Sequence, residues 1–224
     1  MSTRVLVAFG TKSGSTAEVA EAIGKAMADA RVWVDVLTAS EVRSTAGYDA
    51  VVLGGPQVSQ VWHPDAIDFL RRLHDELAGK PVAYLITSMT LTRSAQARVG
   101  SIPIFQDPAH SRPPQRKGRL GFMEKRSTPE AYLLPVLQAA PDVVPVQVAF
   151  LAGKLDYATL DFVSRALLKL VVRMKPADLR NWELIRSWAS GLAAELSRAA
   201  APAESPRRSL HLWLAQAATE GGCA

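Results

Sequence analysis

The chain has 224 residues, 48% of them hydrophobic, with 14 glycines, 14 prolines and a formal net charge of +5. This is an ordinary globular composition, and no apolar stretch reaches the ~18 unbroken residues that a membrane-spanning helix needs. The single cysteine, Cys223, excludes a disulfide framework. Because the N-terminus lacks a charged-then-apolar signal pattern, we expect a cytoplasmic protein, with a peripheral position on the inner membrane as the alternative.

The basic charge is concentrated in one part of the chain. The segment from Arg93 to Arg126 contains eight lysines and arginines and two acidic residues, Asp107 and Glu124. Its net charge is therefore +6, and the net charge of the remaining residues is −1. Such a segment is typical of a protein with an anionic partner, which would be a lipid surface, an acidic substrate or nucleic acid. Aromatic residues that could stack on bases are scarce there, so we expect no nucleic acid.

Alternating apolar and amphipathic segments predict a doubly wound α/β fold. Five apolar runs predict buried strands: Val5–Phe9, Val32–Leu37, Ala50–Gly54, Val82–Thr87 and Val144–Leu151. Helical patterns follow at Thr16–Ala28, Pro64–Ala78, Pro129–Ala139 and Asn181–Arg198. We expect a five-stranded parallel sheet in the order 2-1-3-4-5, with the ligand at the carboxyl ends of the strands. The domain is predicted to span residues 1–198, with a tail at 199–224 to which no function is assigned.

The turn after the first strand, Phe9 to Thr16, has the pattern of a phosphate-binding loop. A strand, a turn of small hydroxylated residues and a helix bring hydroxyls and free backbone N–H groups to one point, and a glycine lets a ligand approach closely. The predicted phosphate-binding residues are Thr11, Lys12, Ser13, Gly14, Ser15 and Thr16. Neither a Walker lysine nor GxGxxG is present, so a single terminal phosphate monoester is favoured. The alternative is an ordinary N-capped helix.

The loops after the third and fourth strands supply polar donors, close backbone and an aromatic side chain. This is the arrangement that an isoalloxazine ring needs, and its predicted neighbours are Gly55, Pro56, Gln57, Trp62, Ser88, Met89 and Thr90. Trp62 is the candidate for stacking on the ring, and the alternative is that it covers the start of the next helix. His63 is predicted to start that helix, near solvent.

A long insertion at about residues 93–128 follows the fourth strand. It is rich in proline and glycine, and loops of this length in compact domains are either functional or disordered. We predict that it serves the substrate or a membrane and not the fold. Its candidate substrate-binding residues are Arg112, Arg116, Lys117 and Arg119.

The segment Leu155–Met174 predicts a helix that is apolar over most of its circumference, with a charged stripe at Asp161, Arg165, Lys169 and Arg173. A surface helix of this fold buries only one face. The other apolar face would meet the insertion, a second subunit of a homo-oligomer, or an anionic membrane surface.

Four motifs carry a family resemblance over about Arg4 to Leu196: TKSGST, YDAVVLGG with the Trp-His-Pro loop, FLAGKLDYATLDFVSRALLKLVVRM, and DLRNWELIRSWA. The chain resembles flavodoxin-fold proteins, and more closely the menaquinone-dependent protoporphyrinogen IX dehydrogenase group. The most specific elements are GKLDY and the D-x-R-x-W pattern of Asp178, Arg180 and Trp182. The Gly-Gly-Pro start of the second loop and the Pro- and Arg-rich insertion depart from that group.

This resemblance implies an FMN-dependent oxidoreductase that passes electrons from a reduced, tetrapyrrole-like substrate to a quinone. Flavin would supply the redox chemistry, no catalytic acid or base is identified, and no metal site is predicted. Two alternatives remain open. One is a flavodoxin-type electron carrier or a quinone reductase with another donor, and the other is a flavin-less regulatory protein on the same scaffold.

Overall fold

The computed structural model describes residues 3–58, 61–116, 119–156, 158 and 176–201. The strands are β1 (Arg4–Phe9), β2 (Trp33–Thr38), β3 (Ala50–Val58), β4 (Val61–Trp62), β5 (Val82–Ser88), β6 (Leu91–Thr92), β7 (Arg98–Val99), β8 (Ile102–Gln106), β9 (Ser111–Arg112), β10 (Gln147–Ala152), β11 (Lys154–Leu155) and β12 (Ala177–Asp178). The helices are α1 (Ser15–Asp29), α2 (Pro64–Arg72), α3 (His74–Leu77), α4 (Phe122–Arg126), α5 (Pro129–Ala139) and α6 (Trp182–Ala200).

The central sheet has the order β2-β1-β3-β5-β10-β8-β7. Its first five strands are parallel and reproduce the predicted 2-1-3-4-5 order, so the doubly wound fold is confirmed. The sheet does not end there, however. β8, from the insertion, pairs in parallel with β10, and β7 folds back antiparallel onto β8. The prediction of only five strands was therefore wrong.

The two faces of the sheet pack against different helices. Val5 and Val7 of β1 share one core cluster with residues of α1 and α6, such as Ile23 and Leu192. Side chains at alternate positions, such as Leu6, share the other cluster with residues of α2 and α5. Burial on both faces explains why the central strands read as continuous apolar runs.

The insertion contributes to this core. Ile102 of β8 is 5% exposed and belongs to the second cluster. The prediction that the whole insertion lies outside the fold was therefore wrong, because β8 extends the sheet beyond β10. β8 escapes a sequence search because it is five residues long and contains Pro103, and a proline argues against a strand within a sheet.

Other predicted elements also differ in their boundaries. The helix predicted at Pro64–Ala78 divides at Leu73 into α2 and α3. The fifth strand begins at Gln147, since Val144 lies in the preceding loop and is 59% exposed. The apolar helix predicted at Leu155–Met174 lies almost wholly outside the described residues. Within the described ranges, no helix is both long and apolar enough to cross a bilayer.

Candidate functional site

Three loops converge at the carboxyl edge of the sheet because they leave neighbouring parallel strands. β3 lies between β1 and β5, with Phe9 opposite Gly54 and Pro56 opposite Thr87. The first loop follows β1, the second extends β3, and the third follows β5. The predicted phosphate-binding and ring-binding residues therefore lie at one edge of the molecule.

The first loop turns at Gly14, which has φ +81° and precedes the first residue of α1. Its backbone N–H donates to Thr11 Oγ1 at 3.0 Å. A Cβ built on Gly14 would meet no atom within 4 Å, so the space above the helix start is open. The first backbone N–H groups of an α-helix have no partner within the helix, so those of α1 are available to bind a phosphate.

The hydroxyls of the first loop are not equivalent. Ser13 and Ser15 are half-buried and Lys12 is exposed, as direct contact with a ligand requires. Thr16 is 1% exposed, and its Oγ1 lies 3.3 Å from Thr87 Oγ1 of β5. The Thr16 hydroxyl therefore ties the first loop to the strand that carries the third loop.

Sequence reasoning assigned no role to Arg180, which fixes the start of α1. Its side chain is 3% exposed and forms two hydrogen bonds to Asp178, at 2.8 and 2.6 Å. It also donates to Glu18 at 2.9 Å and to the Ser15 carbonyl at 3.3 Å. The guanidinium lies 4.4 Å from the centre of the Trp182 ring. The D-x-R-x-W motif is thus a clamp on the first turn of α1.

The charges of this clamp reinforce one another. Hydrogen bonds from Arg180 hold the pKa of the Asp178 carboxyl below its usual value. The same bonds, together with Glu18, raise the pKa of Arg180. Asp178 is the last residue of β12 and lies opposite Lys154 of β11, which follows β10, so the clamp connects the carboxyl end of β10 to the first loop.

The second loop is a β-hairpin in which Gln57 lies opposite Trp62. Trp62 is 1% exposed, its Nε1–H donates to the Gly55 carbonyl at 2.9 Å, and its ring centre lies 5.6 Å from that of Tyr84. A buried tryptophan whose N–H has a partner is well satisfied in a core. Its position corresponds to the packing alternative, and it presents no free stacking surface at this edge.

His63 begins α2, as predicted, but most of its side chain is covered. It is 16% exposed, and its Nδ1 accepts from the Asp65 N–H at 3.3 Å. A Cβ at Gly10 would lie 2.5 Å from His63 Nδ1, and one at Gly55 would lie 3.2 Å from His63 Cβ. His63 therefore packs against the backbones of both the first and the second loop.

Gln57 is the anomaly of the second loop. Its side chain is 9% exposed, and neither amide atom has a hydrogen-bond partner among the described residues. An unsatisfied buried amide costs about 1–3 kcal/mol, so native structures retain one only for a reason. A ligand with both donors and acceptors would satisfy it.

The third loop is held from two sides. The Ser88 hydroxyl donates to the Thr90 carbonyl at 3.0 Å, and Tyr132 of α5 donates to the same carbonyl at 2.8 Å. Ser88 Oγ also lies 3.1 Å from Nε2 of His110, which comes from the insertion. Met89 is half-buried and Thr90 is exposed, so both border the open edge.

The sequence profile of the family described as Flavodoxin domain matches residues 6–180, which is most of the chain. The chain belongs to the flavodoxin domain family. A search of curated proteins finds no match.

A search of solved structures finds matches at low identity. A flavodoxin from the domain Archaea is 14% identical, with 87% of this chain and 99% of that chain covered, at a TM-score of 0.48. Oxidised flavodoxin 1 from Bacillus cereus is 15% identical, with 88% and 98% covered, at 0.43. A flavodiiron core from Synechocystis is 10% identical, with 88% and 37% covered, at 0.48.

Flavodoxin domains bind FMN, and the residues at the carboxyl edge fit that cofactor. The open start of α1 suits the FMN phosphate, and the unpartnered amide of Gln57 suits a ring or ribityl chain with donors and acceptors. Within the described part of the chain, no three His, Cys, Asp or Glu side chains form a group that could hold a metal ion.

Part of the insertion forms an open cleft of about 510 Å³ in this flavodoxin domain. Arg116 and Arg119 line it, together with Leu120, Phe122 and Lys125. Phe122 is 71% exposed, so the cleft is both cationic and apolar. Of the other candidates, Arg112 lies in β9, paired with β6, and Lys117 lies outside the described residues.

Glu124 shapes the same cleft. Its carboxylate accepts the backbone N–H groups of Gln115 at 2.7 Å and Gly121 at 2.6 Å, and these bonds keep the pKa of its carboxyl below the usual value. The Thr92 hydroxyl donates to the Glu124 carbonyl at 2.9 Å. Because Thr92 lies only two residues beyond Thr90, the cleft is connected to the third loop.

Proposed function

We propose that this protein is an FMN-dependent oxidoreductase that takes electrons from a bulky, anionic, reduced substrate of the tetrapyrrole type and passes them to a quinone. The observation that carries this proposal is the cationic and apolar cleft of the insertion, linked through Thr92 to the third loop. A plain electron carrier needs no such cleft. A flat substrate with carboxylates would use both the arginines and the exposed Phe122.

The chain's own residues bind and orient the cofactor and the substrate. Bound FMN supplies one- and two-electron redox chemistry. The start of α1 receives the phosphate, and the clamp of Arg180 keeps that first turn in place. Gln57 and the third loop border the ring. Arg116 and Arg119 would receive the substrate's carboxylates.

A second function is favoured by a different surface. Val58 and Val61, on the hairpin of the second loop, are 51% and 60% exposed. Exposed apolar side chains beside a cofactor site are typical of a docking patch for a protein redox partner. The alternative is therefore a flavodoxin-type electron carrier that exchanges electrons with another protein.

The two functions differ in what they require of the insertion. We would purify the full chain, identify its flavin, and measure anaerobic oxidation of a reduced porphyrinogen with a menaquinone analogue and, separately, with a small artificial acceptor. The test variant is Arg116→Glu/Arg119→Glu, and the matched control is Arg71→Glu/Arg186→Glu, which changes the net charge equally at exposed positions elsewhere.

The proposal expects the test variant alone to lose most porphyrinogen oxidation, with weaker dependence on salt, and to keep its flavin. Equal losses in both variants, or none in either, would contradict a substrate site in the cleft. A colourless protein that does not bind added FMN would support the flavin-less regulatory alternative.

A further inference from the structure

The turn that follows β8 lies at the same edge of the sheet as the flavin site. β8 is parallel to β10, and β10 is parallel to β5, so the carboxyl ends of all three strands face the same way. Residues Asp107–Ser111 leave β8 at this edge, and the Asp107 N–H donates to the Phe150 carbonyl of β10 at 3.1 Å. The insertion therefore returns to the cofactor edge two strands away from β5.

This turn is a built structure. The buried Asp107 accepts the Ala109 N–H at 2.9 Å through Oδ1 and the Ser111 N–H at 2.9 Å through its carbonyl. Arg93 donates to the carbonyls of Pro108 and Ser111, both at 2.8 Å. These contacts set the direction in which His110 leaves the turn.

His110 is 6% exposed and reaches across the end of β10 to Ser88 on β5. The Ser88 hydroxyl donates to the Thr90 carbonyl, and in the tautomer with its proton on Nε2 the imidazole donates to Ser88 Oγ. Tyr132 donates to the same Thr90 carbonyl. His110, Ser88, Thr90 and Tyr132 thus form one network through the third loop.

From this network we infer that His110 is a positioning residue for FMN, which fixes the Ser88–Thr90 turn against the ring through its hydrogen bond to Ser88. This inference rests on FMN binding at this edge and is independent of the electron donor. A contact that holds a binding loop in its bound conformation raises affinity because less order is lost on binding. Burial favours the neutral ring by lowering the pKa of His110, Asp107 opposes this shift, and Arg112 adds to it.

The experiment compares two replacements of His110. In His110→Gln the amide can donate from nearly the position of Nε2, whereas His110→Phe keeps the ring's bulk without a donor. Ser88→Ala and the double variant His110→Phe/Ser88→Ala complete a double-mutant cycle. His74→Gln and His74→Phe, at a half-exposed position on α3, are the controls. FMN Kd and the visible spectrum of bound FMN are measured at pH 7.5, with unfolding of the apo protein in parallel.

We expect His110→Phe to raise the FMN Kd by about three- to tenfold, as for the loss of one hydrogen bond, and to shift the flavin spectrum. His110→Gln should restore both to within about twofold of the wild type, and the double variant should lose less affinity than the sum of the two single losses, because His110 and Ser88 share one hydrogen bond. Equal effects of Gln and Phe, additive effects in the cycle, or a change in apo unfolding without a change in Kd would each overturn the inference. A wild-type chain with no affinity for FMN would instead show that the proposed function fails, before any variant is compared.

Discussion

All seven residues of β5 are buried, whereas α4, in the insertion, buries none of its five. The two elements are linked through Thr92, which follows β5 and donates to the Glu124 carbonyl of α4, but they are stabilised differently. β5 depends on apolar packing on both faces of a sheet. The region of α4 depends on polar contacts, such as those that Glu124 accepts from Gln115 and Gly121.

Residues that the fold requires and residues proposed to bind the substrate therefore lie close to one another. Apolar burial is the main stabilising contribution in a domain, so changes in β5 or its neighbours should unfold the protein. Exposed polar contacts contribute little each, so the cleft should tolerate change. The boundary passes through the insertion itself, since β8 belongs to the sheet and α4 does not.

The largest expected effect is on FMN affinity and comes from changes in the first loop, which follows β1. Ser13→Asp/Ser15→Asp would place two carboxylates beside the FMN phosphate, and each like-charge pair at about 5 Å costs ~3 kcal/mol at an effective dielectric constant of about 20. Two such pairs together cost ~6 kcal/mol, so we expect isothermal titration to show an FMN Kd raised by roughly 10,000-fold or more. Apo stability should not fall, because carboxylates favour a helix N-terminus. Ser187→Asp/Ser190→Asp on α6 is the control, and an unchanged Kd in the test variant would contradict the phosphate site.

The next comparison lies within the insertion. Ile102→Ala removes a core side chain that is 5% exposed and should lower the free energy of unfolding by about 2–4 kcal/mol. Phe122→Ala removes a side chain that is 71% exposed and should change it by less than about 0.5 kcal/mol. Urea denaturation measures both. Similar losses in the two variants would show that the cleft is part of the core.

Replacing Arg180 should have a smaller but definite effect. Arg180→Met leaves Asp178 and Glu18 without their shared cation, and we expect the free energy of unfolding to fall by about 1–3 kcal/mol at pH 7. Because Arg180 lowers the pKa of Asp178, this stabilisation is present above the ordinary pKa of 3.8 and is lost as the pH falls through the lowered value.

Two unfolding measurements would test whether Arg180 stabilises the protein through its charge. Urea unfolding at pH 7 and at pH 3 should show the difference from the wild type shrinking at the lower pH. Arg186→Met, at an exposed position on α6, should show little loss at either pH. A difference that stays constant with pH would mean that Arg180 acts through packing alone.

The smallest effect is the titration of His110. Burial lowers its pKa from the ordinary 6.5, so below that pH the unfolded chain binds more protons and stability falls with the pH. The loss cannot exceed about 1.4 kcal/mol per pH unit for one group. Unfolding at pH 5.5 and 7.5 should show this loss in the wild type and a flatter profile in His110→Gln. Identical profiles would place the titration elsewhere.

The parallel strands of the central sheet and the first loop were predictable from the sequence, because each is recognised from residues that are contiguous in the chain. Buried parallel strands are continuous apolar runs, and the first loop is a contiguous turn between a strand and a helix. Five strands and their order follow from such signals. β8 lacked one, since its five residues, IPIFQ, are short and include Pro103.

The contacts that hold the loops of the site in place were not predictable in this way, because they join residues far apart in the chain. Trp62 is buried against Tyr84, and His110 meets Ser88 across the end of β10. No periodicity in either segment reports such a pairing. Arg180 is an intermediate case, since the D-x-R-x-W pattern was visible but its contacts with Glu18 and Ser15 were not.

The packing of His63 against Gly10 and Gly55 limits which substitutions this site can accept during evolution. Any side chain at Gly10 would collide with the imidazole, whose Nδ1 would lie 2.5 Å from the new Cβ, and one at Gly55 would collide with Trp62 and His63. Substitution at Gly10 is therefore tolerated only after position 63 has become smaller, whereas at Gly55 the nearest atom is Trp62 Nε1, at 2.9 Å from the new Cβ. Across related sequences, positions 10 and 63 should vary together, and the order of the changes is constrained: the histidine must be replaced before Gly10.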